Sequence, residues 1–594
     1  MGAKDFFPAY SPPFSRWLVL LSVLFYVQGS CAVVIGHDSL LRRNSTLLTT
    51  QEYRDRRADL IAEERALRFD TQRIRNATAK ELRAVEIVDE LRKREQASVW
   101  YADPNKEPGM PYLWAKDTIA QTDLFKLIKK MPKGGLLHAH LEAICDASYL
   151  LKLALDYPTI HVRTASSLNS SAPFPTPIFL PLSQAQANQY TNNSLPTSPE
   201  YQPNSWAAIN RVRDGFPSEL GGPLGFDKWI INSLTISAED TYTQYNTTAK
   251  IWAKFTNTFI AAFGLVRYEP ILQRYIDQLL VSQIEDGISY VEIRLGFSST
   301  RGVISADGTR NLTNSQVMDL TQNVISGVRA RLKEEGREDD FVGARVIYSA
   351  TRSISYDEMV KQLNDCLALK EEFPELLAVG FDMAGQEEPG HPLIFFAEAL
   401  LNFRAEAERR GLDIPFMFHA GETLDDGGEV DSNLYDAFLL GAQRVGHGFS
   451  LAKHPLLMQK YRENGIAVEV CPISNELLRL TRSANTHTLP ILLNNGVPVA
   501  LSSDDPAVFQ NPGLSFDFYQ VWFIPIEFLL QEKTYILAPT KAIVASDITN
   551  ILSLGQLARQ SLEHSSLNLT AKASALRLWE KRWDEFIDYI VASG

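Results

Sequence analysis

The sequence predicts an α/β protein built on a (β/α)8 TIM-type barrel, with an N-terminal helical extension and an insertion after the first strand. Two observations carry that fold. Eight short apolar segments, each ending in polar residues, are separated by helical patterns from residue 136 to residue 502; strands alternating with helices build a parallel sheet with helices outside it. The reactive residue types sit just after those segments, where a barrel carries its chemistry. The chain has 594 residues and is 45% hydrophobic and 22% charged, as expected of a globular protein with a large core. Its formal net charge of -13 argues against a general nucleic-acid binder, which would show a basic face.

The N-terminus reads as a targeting segment. Lys4 and Arg16 precede the apolar run Trp17 to Val27, and the small residues Gly29, Ser30, Cys31 and Ala32 follow. This is the layout of a secretory signal peptide over residues 1–32, with cleavage after Ala32. The alternative is an uncleaved anchor, which the shortness of the run disfavours. The expected location is extracellular. Seven Asn-x-Ser/Thr sequons, at Asn44, Asn76, Asn169, Asn192, Asn246, Asn311 and Asn568, are candidate glycan sites on such a chain. Only Cys145, Cys366 and Cys471 remain after cleavage, so stability must come from packing and not from a disulfide framework.

Residues 33–115 form the extension. Within residues 50–98, which lack Pro and Gly, Leu60, Ile61, Leu67, Leu82, Val85, Val88 and Leu91 recur at roughly helical spacing. That predicts one or two long amphipathic helices, packed on the main domain or on a partner subunit. Residues 101–113 read as a turn-rich connector, and Asp123 to Met131 as a short helix. The main domain spans 116–594. Residues 157–225 are dense in Ser, Pro, Asn, Thr and Gln; a structureless loop that long is unusual in a compact domain, so an inserted subdomain is expected.

The eight candidate strands are Leu136–His140, Ser289–Leu295, Gly343–Tyr348, Ala378–Asp382, Phe416–His419, Arg444–His447, Ala467–Val470 and Val497–Ser502. Helical stretches at 355–372, 393–411 and 454–464 lie between them. Four constellations follow strand ends. His138 and His140, at i and i+2, point to one face and can reach one metal; the alternative is a pair of hydrogen-bonded or surface histidines. In His419-Ala420-Gly421-Glu422 the glutamate lies on the next turn, able to face a pocket or to favour a helix N-terminus. His447 stands between Gly446 and Gly448, which permit close approach, or else is a core histidine in a tight turn. Ser502-Ser503-Asp504-Asp505-Pro506 can offer one carboxylate to a metal and one to a substrate, or simply start a helix at proline. Four of 10 histidines ending strands is hard to attribute to chance.

HAHLEA, YVEIR, HAGET, VGHGF, EVCPISN and SSDDPAVF resemble the adenosine/AMP deaminase superfamily, a barrel of the metal-dependent amidohydrolase kind. The signal segment, the extension, the insertion, MPKGGLLHAH and the closing KRWDEF resemble its secreted branch, the adenosine deaminase-related growth factors. The resemblance covers about residues 100–590. It implies one zinc per chain on His138, His140, His419 and Asp504, with His447 handling the proton of the attacking water. It implies that Glu422 protonates purine N1, that Asp505 meets N7 and that the Gly385 amide meets N3. Glu142 matches a position often held by a ribose-binding aspartate, and Trp252 a family aromatic near the pocket lid; by composition alone Trp252 reads equally as a core aromatic.

The activity so implied is hydrolysis of adenosine and 2′-deoxyadenosine to inosine and ammonia. One alternative is a broad-range deaminase of AMP, for which Lys228, Arg294 and Arg352 are candidate phosphate contacts. Another is a non-catalytic, growth-factor-like binding protein, against which the complete set of ligand and acid–base positions weighs. The extension resembles a dimerisation element, so a homodimer is expected. The insertion is the candidate surface for a receptor or glycan, and no nucleic acid and no stable membrane anchor are expected.

Overall fold

The computed structural model describes residues 48–594 apart from 172, 191–193, 298–301, 378–379 and 523–548. The signal segment therefore lies outside the described residues, as do Asn44 and Asn192. Eight parallel strands form the barrel: β1 Gly134–His140, β2 Ile288–Gly296, β3 Gly343–Thr351, β4 Gly380–Ala384, β5 His419–Ala420, β6 Arg444–His447, β7 Ala467–Val470 and β8 Val499–Leu501. They make two four-stranded halves, β1-β2-β3-β4 and β5-β6-β7-β8. The fold is the expected (β/α)8 barrel, with each strand within a few residues of its predicted place. Ala378 and Val379, at the start of the predicted fourth strand, lie outside the described residues.

Two seams join the halves. At the first, Phe381 N donates to Pro415 O and Met417 N to Phe381 O, 3.0 Å each. Pro415 has no N–H to offer a ladder and sits where a strand begins. The regular ladder of β5 is thus reduced to His419–Ala420, shorter than the predicted Phe416–His419. At the second seam Asp504 N donates to His138 O (3.0 Å) and His140 N to Asp504 O (3.1 Å). The backbone of one predicted metal ligand therefore pins the strand that carries two others.

The helix Ile551–Glu563 packs against β1 and β8 and against the last helix, Leu569–Ser593. That last helix in turn packs on Ala79–Glu95, whose N-terminus is closed by a reciprocal Thr78–Glu81 capping box and which buries Ala84 and Val88. This part of the extension belongs to the core. The helix Thr50–Ala66 differs: it buries none of its residues, and Leu60 is 67% exposed.

The insertion is a folded layer. Ile178–Pro181, Ile160–Arg163 and Ala207–Ala208 form a three-stranded antiparallel sheet that buries Ile160, Val162, Phe179 and Ala207. Its outer strand lies on the helix Thr248–Val266. The approach is so close that a Cβ on Gly264 would fall 2.0 Å from Phe179 O, so only glycine fits. The other face of that helix lines the cavity described next.

Among the described residues no helix is long and apolar enough to cross a membrane. Cys145, Cys366 and Cys471 are all buried and unpaired.

Candidate active site

At the C-terminal mouth of the barrel lies a cavity of 460 Å³. Strand ends aim their side chains into it. His138 and His140 come from β1, His419 from β5, His447 from β6 and Asp504 from just after β8. One ligand atom from each of His138, His140, His419 and Asp504 lies within 4.8 Å of every other. His138 Nε2 and His140 Nε2 stand 3.2 and 3.3 Å from Asp504 Oδ1, and the Nε2 atoms of His140 and His419 are 3.3 Å apart. A tetrahedral site with arms of about 2.0–2.1 Å has edges of about 3.4 Å, so the donors are spaced for a single small ion. His138 Nε2 and Asp504 Oδ1 are buried and make no hydrogen bond, which fits atoms that serve as metal ligands. The donor set of three imidazoles and a carboxylate fits zinc.

The outer nitrogens of these rings are held by buried carboxylates. His138 Nδ1 meets Glu469 Oε2 at 2.8 Å, and His419 Nδ1 meets Asp382 Oδ1 at 3.0 Å. Such partners fix the tautomer, so that Nε2 faces the site as a bare donor. Arg294 ties the two acids together, donating to Glu469 at 2.7 Å and to Asp382 at 2.9 Å. Arg444 donates to Glu469 at 2.6 Å and pairs with Glu292. Burial alone would raise the Glu469 carboxyl; Arg294 and Arg444 instead hold it well below the usual carboxylate range. Ser474 Oγ donates to Asp504 Oδ2 at 2.7 Å, leaving Oδ1 for the ion.

Gly446 shows how tightly this is packed. A Cβ there would lie 2.8 Å from His138 Cε1, so the residue before His447 must be glycine to admit the ring. His447 and Asp504 both take the left-handed backbone, φ 60°, which non-glycine residues seldom adopt; the surrounding hydrogen bonds impose it at the reacting centre.

Around the ligand set stand the other predicted groups. His447 Nδ1 donates to Asn475 Oδ1 at 3.0 Å, and its Nε2 lies 3.6 Å from Glu422 Oε1 and 3.8 Å from Asp504 Oδ2. Burial lowers its pKa to about 4, so the ring is neutral. Glu422 is 3% exposed. Burial, then the charges of Asp504 and Glu387, push its carboxyl well above the usual range. Burial, then Asp504 and Glu422, do the same to Asp505. Asp505, Gly385, Glu142 and Trp252 all line the cavity. Trp252 packs on Phe255 with ring centroids 5.0 Å apart, so it is both wall and core.

Of the three cations expected to meet a phosphate, Arg294 lines the cavity but is consumed by Asp382 and Glu469. Arg352 lines it too, with Nη1 3.9 Å from Glu387. Lys228 is not among the lining residues. Asp382, Glu387, Asn475, Glu469 and Arg267 complete the site without having been assigned a role from the sequence. The available signal was a charge inside an apolar strand, as with Glu469 in Ala467–Val470 and Glu292 and Arg294 in Ile288–Gly296.

Comparison with known proteins gives the family. The sequence model described as adenosine deaminase matches residues 230–520. The chain is 32% identical over 482 residues to adenosine deaminase 2-A of Danio rerio, covering 81% of this chain and 84% of that one. It is 30% identical over 545 residues to adenosine deaminase 2 of Dictyostelium discoideum, covering 91% and 88%. The crystal structure of Arabidopsis ADAL complexed with GMP aligns over 77% of this chain and 99% of its own, with 15% identity and a TM-score of 0.48. On the shared length and identity with those two relatives, the chain belongs to the adenosine deaminase family, in its adenosine deaminase-related growth factor branch.

Proposed function

We propose that this chain is a zinc-dependent hydrolase that converts adenosine and 2′-deoxyadenosine to inosine and ammonia. The observation that carries the reading is the meeting of His138, His140, His419 and Asp504 beside Glu422, His447 and Asp505 at one cavity. The four ligands would hold the zinc, which when bound would supply a water nucleophile near neutral pH. His447, with Nδ1 committed to Asn475 and its ring neutral, presents Nε2 to take the proton of the water that attacks C6. Glu422 carries a proton in the dry pocket and delivers it to N1 as the ring loses aromaticity. Asp505, its carboxyl pushed up by burial and by Asp504 and Glu422, faces N7, and the Gly385 amide faces N3. The proton held by His447 passes to the amino group, the C6–N bond breaks as C6–O becomes a carbonyl, ammonia leaves, and the hydroxyl proton restores Glu422. Glu142 and Trp252 flank the ribose.

Full occupancy of the ligand and acid–base positions speaks against a purely binding role. The ion pairs that engage Arg294 favour a nucleoside over AMP. The test is ammonia release by the purified protein from adenosine, 2′-deoxyadenosine and AMP, with metal analysis and a chelator arm. Expected are about one zinc per chain, turnover of both nucleosides ahead of AMP, and loss of activity on chelation. No ammonia from any of them, or full activity without metal, would overturn the reading.

Secretion is part of the proposal and rests on the N-terminal apolar run. It is supported by the exposure of Asn76, Asn169, Asn246, Asn311 and Asn568, which makes these five sequons available to glycans. The homodimer is assigned to the helix Thr50–Ala66, because Ala79–Glu95 is already used by the core. Deleting residues 33–61 should halve the mass seen by light scattering; an unchanged mass removes the helix from the interface. The insertion remains the proposed face for a receptor or glycan.

A further inference from the structure

One buried ion pair in the cavity takes no part in the proposed proton transfers. Glu142 Oε1 accepts from Arg267 Nη2 at 2.6 Å and from Nε at 3.2 Å. Arg267 Nη2 also donates to Gly296 O at 2.7 Å, and the guanidinium rests 4.8 Å above the Phe263 ring. Both residues are 8% exposed and both line the cavity. They stand on its β1–β2 side, across from Gly385 after β4 and Glu422 after β5, which hold the base in the proposed reading. The ribose and its 5′ position therefore meet this pair, between the apolar faces of Phe255, Phe259 and Phe263.

We propose that the Glu142–Arg267 pair is a charge filter: Glu142 masks Arg267, so the site admits an uncharged nucleoside and turns away its 5′-phosphate. The inference rests on the deaminase reading above. Ribose hydroxyls can donate to Glu142 and accept from Arg267 without parting the two. A phosphate dianion meets the Glu142 carboxylate at close range and must draw Arg267 away from it, in a pocket too dry to screen the repulsion. The cation suited to a phosphate is already in place, and Glu142 is the acid that neutralises it. Of the other arginines of the wall, Arg294 is engaged by two carboxylates, and Arg352 is tied through Nη2 to Met383 O and His419 O, on the β4–β5 side with the base.

The test measures dissociation constants for adenosine and adenosine 5′-phosphate by calorimetry on the zinc-loaded protein, with ammonia release followed separately. The proteins are wild type, Glu142→Gln, Arg267→Gln and the double variant. Glu142→Gln should shift the ratio of affinities toward the phosphate by about tenfold or more, a change of about 1.4 kcal/mol. The double variant should lose that gain. Arg267→Gln alone, which bares the carboxylate, should weaken the phosphate several-fold against adenosine, and it decides the matter if Glu142→Gln does not fold. An unchanged ratio in either folded single variant, or a gain that survives in the double variant, overturns the filter. Wild-type protein that binds adenosine but releases no ammonia overturns the deaminase reading and leaves the binding ratios to judge the filter; wild type that binds neither compound overturns both.

Discussion

Glu422→Gln is expected to lower kcat on adenosine by about 10²–10⁴-fold, the range that a positioned general acid contributes, while zinc content and melting temperature stay near those of wild type. Glutamine keeps the volume and can still donate a hydrogen bond to N1, but it has no proton to give up. The backbone is held independently of that proton: Glu422 N donates to Glu387 Oε1 at 2.7 Å, and Asn433 Nδ2 to Glu387 Oε2 at 2.6 Å. KM should therefore move much less than kcat. The raised pKa of Glu422, caused by burial and then by Asp504 and Glu387, means that the acid form persists above the ordinary carboxylate range. Activity should fall as the pH rises through that value, and the fall should vanish in the variant. A Glu422→Gln protein with kcat within about tenfold of wild type would remove Glu422 from the proton path, because that loss lies below the range expected of a general acid.

The ligands were legible because each ends an apolar strand, and strand ends converge in a barrel whatever the distance along the chain. The supporting residues were not. Glu469 meets His138 across 331 residues, and Arg267 meets Glu142 across 125. No local pattern marks such pairs, since what selects them is the closure of the barrel. The buried charges Glu292, Arg294, Arg444 and Glu469 were visible as anomalies inside hydrophobic strands, and an anomaly of that kind requires a partner. The sequence does not say which acid takes which base. The insertion shows the opposite limit. Its polar composition hid a small sheet in which Ile160, Val162, Phe179 and Ala207 turn inward while Ile178, Leu180 and Ala208 stay partly exposed. Alternation over four residues or fewer is too short to be read against a Ser- and Pro-rich background.

Glu469→Ala should produce the largest loss of stability. Its carboxylate, buried in β7, serves His138, Arg294 and Arg444 at once. Arg294 would keep Asp382 and Arg444 would keep Glu292, but the remaining charge would be shared unevenly in a medium that cannot screen it. Removing one member of a buried pair costs about 3–5 kcal/mol. Because unfolding entropy grows with chain length, a protein of this size should lose only about 3–5 °C in melting temperature for that change. His138 would also lose the acceptor that sets its tautomer, so zinc affinity should fall by about 10–100-fold. Glu469→Gln keeps the shape and one acceptor and should lose less of both. The sign of the pH effect follows from the depressed carboxyl pKa. The stabilisation is complete above the unfolded value, persists through neutrality, and is lost only as the pH falls through the folded value. The difference between wild type and Glu469→Ala should therefore be constant from neutral pH down to the ordinary carboxylate range and shrink below it. An alanine variant that melts with wild type and holds zinc as tightly would mean that Asp382 and Glu292 alone neutralise the two arginines, and that the metal site does not depend on the acid behind His138.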